Sequence, residues 1–181
     1  MEATQIISSV TLSRRVRWGI LIPAFAVYVA MWAGLIMYYW WDIATISMPL
    51  WTGMILFSIV TVTVIHEGLH GLFFWIFGGR VKFGAKLKTS FGPVFWATSD
   101  KIFSKRQFRM ISLAPQILTF ACFLVIFLAK LPPIYEIGLW IIAVGNLTGG
   151  GFDIYISLIL GRFPAGSMFQ DKQDGLTVYM Q

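Results

Sequence analysis

Four long stretches of the chain are almost free of charge. The first, Trp18 to Trp41, has no charged residue; the second begins after Asp42, passes Pro49 and Leu50, and is interrupted only by His66, Glu67 and His70 before Phe77. The third runs from Met110 to Ala129, and the fourth from Ile137 to Gly161 with Asp153 as its single charge. A helix needs about 20 apolar residues to cross a bilayer core. The pattern therefore predicts four transmembrane helices, over 18–41, 49–77, 109–130 and 135–161. The first exceeds the apolar region of a cleavable signal peptide, about 7–15 residues, and is read as retained. Pro115 predicts a kink in the third.

Between the second and third runs the period changes. Val81, Phe83, Ala85 and Leu87 alternate with Lys82, Gly84, Lys86 and Lys88, the period of two that marks a strand. Ser90 to Pro93 supplies a turn and Val94 to Thr98 a return strand, so the loop over 80–100 predicts a short β-hairpin. Its open edge could pair with an extended peptide. Lys101 to Arg109 mixes Ile102, Phe103 and Phe108 with basic residues, as an interfacial lead-in to the third span would. Residues 162–181 read as a polar cytoplasmic tail. The expected fold is an all-α membrane protein: one domain over 1–181, four transmembrane helices, and a short membrane-associated β-hairpin after the second.

Composition and charge sharpen this picture. The chain is 57% hydrophobic and only 12% charged, against about 25% charged for a soluble domain, so a water-facing globule is excluded. Thirteen of the 14 basic residues lie before the first span, in the long loop, or after the last span; Lys130 is the exception. Basic residues retained on the cytoplasmic side put the N-terminus, the long loop and the C-terminus there. The net charge of +6 is then a topology signal whose natural partner is anionic lipid at the cytoplasmic face, and no nucleic-acid partner is expected. Cys122 is the only cysteine, so no internal disulfide forms.

The second span carries the chemistry. His66-Glu67-Gly68-Leu69-His70 is an HExxH sequence. Four helical residues turn about 400°, which returns both histidines to one face, where they can ligate one zinc with Glu67 as general base toward zinc-activated water. A carboxylate deep in an apolar span costs on the order of 2.5–3.5 kcal/mol, so a purely packing role for these residues is disfavoured. Catalytic zinc takes three protein ligands and keeps one position open. With both histidines used, Asp153 is the carboxylate within another span, and it lies nine residues before Arg162 as His70 lies ten before Arg80. Both are then about 14–15 Å from the basic boundary, at one level. Asp171 and Asp174 in the tail are reserve ligands, and Cys122 reads as a small core residue. Asn146, seven residues before Asp153, returns to nearly the same face; it either holds substrate or steadies an oxyanion, or makes a polar interhelical contact. Gly149-Gly150-Gly151 allows either close helix approach or local unwinding, and Gly68 and Gly71 bare the facing helix.

Taken together these features resemble the site-2 protease clan of intramembrane zinc metalloproteases, and more closely the small bacterial and archaeal membrane proteins of zincin-peptidase type. That core has HExxH on one membrane helix, a membrane-associated β-structure, a plain helix, and a helix bearing an aspartate ligand, the order found here from Leu50 to Gly161. The resemblance implies His66, His70 and Asp153 as zinc ligands, Glu67 as the base, and Asn146 as the counterpart of the clan's upstream asparagine. It differs from the clan's NPxPxLDG-like stretch, since Asn146-Leu147-Thr148-Gly149-Gly150-Gly151-Phe152-Asp153-Ile154 lacks the prolines. In the other membrane HExxH group the third ligand is a later glutamate, and the only one here, Glu136, falls on the far side.

The expectation is therefore a zinc metalloendopeptidase of a prokaryotic inner membrane that cleaves transmembrane or membrane-proximal peptide segments, with zinc as cofactor and a membrane protein or peptide as substrate. The alternatives are a non-proteolytic zinc-binding membrane protein, such as a sensor or transport component, and a structural membrane subunit. An intact Glu67 beside both histidines argues against the first, because metal binding alone needs no base there.

Overall fold

The computed structural model describes residues 5–11, 14–88, 93–172 and 175–180. The chain is mostly helical, with two small antiparallel sheets. In order, the elements are β1 (Gln5–Thr11), α1 (Arg14–Thr45), α2 (Met48–Ile76), β2 (Val81–Lys86), β3 (Val94–Ser99), β4 (Phe103–Ser104), α3 (Lys105–Leu113), α4 (Gln116–Leu128), α5 (Pro133–Gly149), α6 (Gly151–Ile159), β5 (Ser167–Lys172) and β6 (Gly175–Met180). The segments Trp18–Thr45 and Met48–Ile76 are each long and apolar enough to cross a membrane. The bent pairs α3 with α4 and α5 with α6 bring the number to four if each pair is one span.

Two of the expected spans are thus broken. Pro115 has no N–H to continue the helix of α3, which ends at Leu113, and α4 restarts at Gln116. Gly150 separates α5 from α6. The third run also begins earlier than the apolar pattern suggests, because Ser104 and Gln107 form a reciprocal capping box that starts α3 at Lys105. The lead-in is therefore helical from Lys105 onward, with Phe108, Ile111 and Ser112 of α3 buried.

The chain divides into two compact units. One comprises Met1–Trp18, Glu67–Ala114 and Phe152–Gln181. It holds both sheets and a core of Phe74, Phe103, Phe108, Ile111, Leu160, Phe169, Leu176 and Val178. Its larger sheet runs β1-β6-β5-β4. The tail is therefore not a plain polar extension: in β6 Leu176 and Val178 face the core while Thr177 and Tyr179 are less buried, the alternation of a strand with one covered face. The expected hairpin is present as β2 and β3, paired from Val81 opposite Ser99 to Lys86 opposite Val94. Of its expected turn, Ser90 to Phe91 and Gly92 lie outside the described residues. Gly78, at φ 74°, ends α2 in the left-handed region, and the ring of Phe83 packs where a side chain at Gly71 would sit. Gly71 thus receives the hairpin.

The other unit comprises Gly19–His66 and Pro115–Gly151. Leu35, Tyr39, Ile137 and Ile141 form one cluster with Trp32, Trp51, Met54 and Trp140 around them; Cys122, Ile142 and Ala143 form another. Tyr39 donates its hydroxyl proton to Glu136 at 2.5 Å. Outside these clusters Phe25, Met37, Trp41, Phe57 and Phe127 are exposed. An apolar surface on that scale is consistent with a membrane protein.

Candidate metal centre

The division into units falls between His66 and Glu67, inside α2. The helix is continuous there, so its own geometry sets His66 one turn before His70 on the same face. Both imidazoles are buried, and Glu67 is half-buried.

The proton positions follow from the partners. Asn146 donates from Nδ2 to the carbonyl of Pro115 at 2.8 Å, a group that can only accept, which settles which end of the amide is nitrogen. Oδ1 is then the atom 3.0 Å from His66 Nδ1, so the ring nitrogen donates and Nε2 becomes the ligand atom. Similarly, His70 Nδ1 lies 2.9 Å from the carbonyl oxygen of Ile111 and must donate to it. Its Nε2 faces Asp153 Oδ1 at 3.4 Å. Each histidine is therefore fixed in the tautomer that metal ligation requires, by a neighbour that also holds the ring's angle.

Asp153 sits in the first turn of α6, where the helix dipole favours a carboxylate. His66, His70 and Asp153 each offer one ligand atom, and these atoms lie within 4.8 Å of one another. Bonds of about 2.0–2.2 Å in a tetrahedron put ligand atoms about 3.4 Å apart, the spacing seen between His70 and Asp153. Two buried imidazoles and one carboxylate are a donor set that suits zinc and leaves a fourth position open. Beside them, Glu67 accepts the main-chain N–H of Ala97 in β3 on Oε2 at 2.6 Å.

Some of the residues expected from sequence come together in the ligand group and others do not. His66, His70 and Asp153 form the ligand group and Glu67 adjoins them. Asn146 lies on His66; with Nδ2 also donating to Thr119 Oγ1 at 2.8 Å, and with no exposed surface, it is spent within the protein. Asp171 is not in the ligand group. It is half-buried on β5 and hydrogen-bonded to Thr98, and burial lifts its carboxyl to about 6. Asp174 lies outside the described residues. Cys122 is buried among Ile142 and Ala143. Of the two roles open to the glycine run, Gly150 makes the break: its N–H returns to the carbonyl of Asn146 at 2.9 Å.

The sequence reading missed the carbonyl of Ile111, the N–H of Ala97, Thr119 and Gln116. The first two are backbone groups and carry no residue signal. Thr119 and Gln116 are polar residues in an otherwise apolar run, and that was the signal available.

A buried pair of histidines one helical turn apart, joined by a carboxylate and flanked by a glutamate, is a group able to hold a zinc ion. Residues 59–168, more than half of the chain and including all five of His66, Glu67, His70, Asn146 and Asp153, match the sequence profile of the family described as "Putative zincin peptidase"; the chain belongs to that family. The family implies zinc, and His66, His70 and Asp153 are the residues able to hold it. No curated protein and no solved structure matches the chain.

Proposed function

We propose that the protein is an intramembrane zinc endopeptidase of site-2 protease type, acting on transmembrane or membrane-proximal segments. The observation that carries this is the ligand group itself: two histidines in the tautomer that ligates, an aspartate, and Glu67 adjacent, with the HExxH on a helix apolar enough to span a membrane. Zinc, when bound, supplies a Lewis acid that polarises the scissile carbonyl and makes water more acidic.

The chain's own residues do the rest. Asn146 and the Ile111 carbonyl hold the two imidazoles in register. The Ala97 N–H orients the carboxylate of Glu67, which takes a proton from the attacking water and passes it to the leaving amine. In this reading β3 offers an edge for an extended peptide, and a substrate helix must unwind locally, because its own hydrogen bonds shield its carbonyls. The distribution of basic residues supports a cytoplasmic side for both termini and the hairpin, facing anionic lipid, in what we read as a prokaryotic inner membrane.

Replacing Glu67 by Gln tests the assignment. Zinc content should stay at the wild-type level while peptide cleavage falls by about 100-fold or more, the scale of a lost general base. Undiminished cleavage by purified Glu67→Gln protein contradicts it.

A further inference from the structure

Three buried side-chain polar atoms among the described residues have no hydrogen-bond partner: Trp32 Nε1, Ser167 Oγ and Gln116 Nε2. Of these residues, Gln116 is tied by hydrogen bonds to a ligand histidine. Thr119 carries that chain onward from Asn146. Asn146 gives its oxygen to His66 and its Nδ2 protons to Pro115 and Thr119. Thr119 Oγ1, already accepting from Asn146, directs its own proton to Gln116 Oε1 at 3.2 Å. The amide of Gln116 meets Thr119 through its oxygen, and Nε2 has no hydrogen-bond partner among the described residues.

Nε2 is turned toward Gly150. A Cβ at Gly150 would stand 2.4 Å from Gln116 Nε2 and 3.4 Å from His66 Cε1. The φ of Gly150 is −78°, which any residue adopts, so space rather than conformation calls for glycine there. Without a side chain there, the Gln116 amide occupies that space, so an unanswered N–H donor lies against Gly150, where the imidazole carbon next to the ligand nitrogen also approaches. A buried donor without a partner is costly in an apolar surrounding. A carbonyl oxygen arriving beside His66 would satisfy it.

On the peptidase reading, we propose that Gln116 is a catalytic residue whose Nε2 donates a hydrogen bond to the oxygen of the scissile carbonyl as that oxygen gains negative charge. The Thr119 and Asn146 links hold this donor in advance, which is what makes such a donor effective. Asn146 then serves the substrate indirectly: it fixes His66 and Gln116 together.

The test compares zinc-loaded wild type with Gln116→Leu, and with Gly150→Ala, which leaves the amide in place but crowds it. Zinc per polypeptide and gel-filtration profile establish that each variant is folded. With an apolar peptide substrate, kcat should fall about 100-fold in Gln116→Leu with KM within twofold, the cost of one lost oxyanion donor; Gly150→Ala should move kcat in the same direction. Affinity for a phosphinic peptide, a tetrahedral mimic, should fall by a similar factor, and this readout needs no turnover. A wild type that fails to cleave counts against the peptidase reading alone, since the phosphinic comparison still decides the donor. Equal phosphinic affinity in wild type and Gln116→Leu, including none in either, or an unchanged kcat in Gln116→Leu, overturns the assignment of Gln116.

Discussion

Asn146 shows how one buried amide sets the chemistry of a neighbour. Its orientation is fixed by the Pro115 carbonyl, and that orientation in turn fixes the tautomer of His66. A leucine of similar size would keep the packing but lose the acceptor, freeing the imidazole to rotate or to exchange tautomers. Losing the partner that orients a ligand histidine costs about 10–100-fold in metal affinity. Asn146→Leu should therefore bind zinc about 10–100-fold more weakly in a chelator competition, with the protein still folded; unchanged affinity would show that Asn146 does not act through His66. At this scale the sequence was most legible where charge meets an apolar run. His66, Glu67, His70 and Asp153 stand out because burying them without a task is expensive. The partner of each was not legible, since the Ile111 carbonyl and the Ala97 N–H are present in every residue, and nothing in the spacing told whether Asn146 would meet substrate or a histidine.

Among the elements, the helices were legible because runs without charge are long enough to be unmistakable, and both breaks have visible causes in Pro115 and Gly150. The hairpin was legible from its period of two. The larger sheet was not. β1 pairs with β6 across almost the whole length of the chain, and pairing between distant segments leaves no local signature beyond the short alternation of Leu176 and Val178. The join between α2 and β2 is closely packed: a Cβ at Gly79 would lie 2.6 Å from Ser99 Oγ, 2.9 Å from Phe103 Cζ and 3.0 Å from the carbonyl oxygen of Phe74. The last is backbone at the end of the metal-site helix and cannot swing aside. Gly79→Ala should cost about 1–3 kcal/mol, the range for overpacking, read as a lowered Tm in detergent. A Tm equal to wild type would mean that the turn relaxes freely.

At the scale of the whole molecule, composition and the placement of basic residues pointed to a membrane protein before any motif was read, and the apolar spans agree with it. Sequence could not show the division into two units, because that depends on which segments pack together and not on where they lie in the chain. Nor could it show that the boundary would fall within the HExxH motif, between His66 and Glu67. The account as a whole stands on His66, His70 and Asp153 binding one zinc ion, and the most direct test is zinc per polypeptide in purified wild type and Asp153→Ala under identical mild chelation. The account predicts close to one zinc in wild type and clear loss in the variant. Absence of zinc from well-folded, supplemented wild type, or equal zinc in the two proteins, would contradict it.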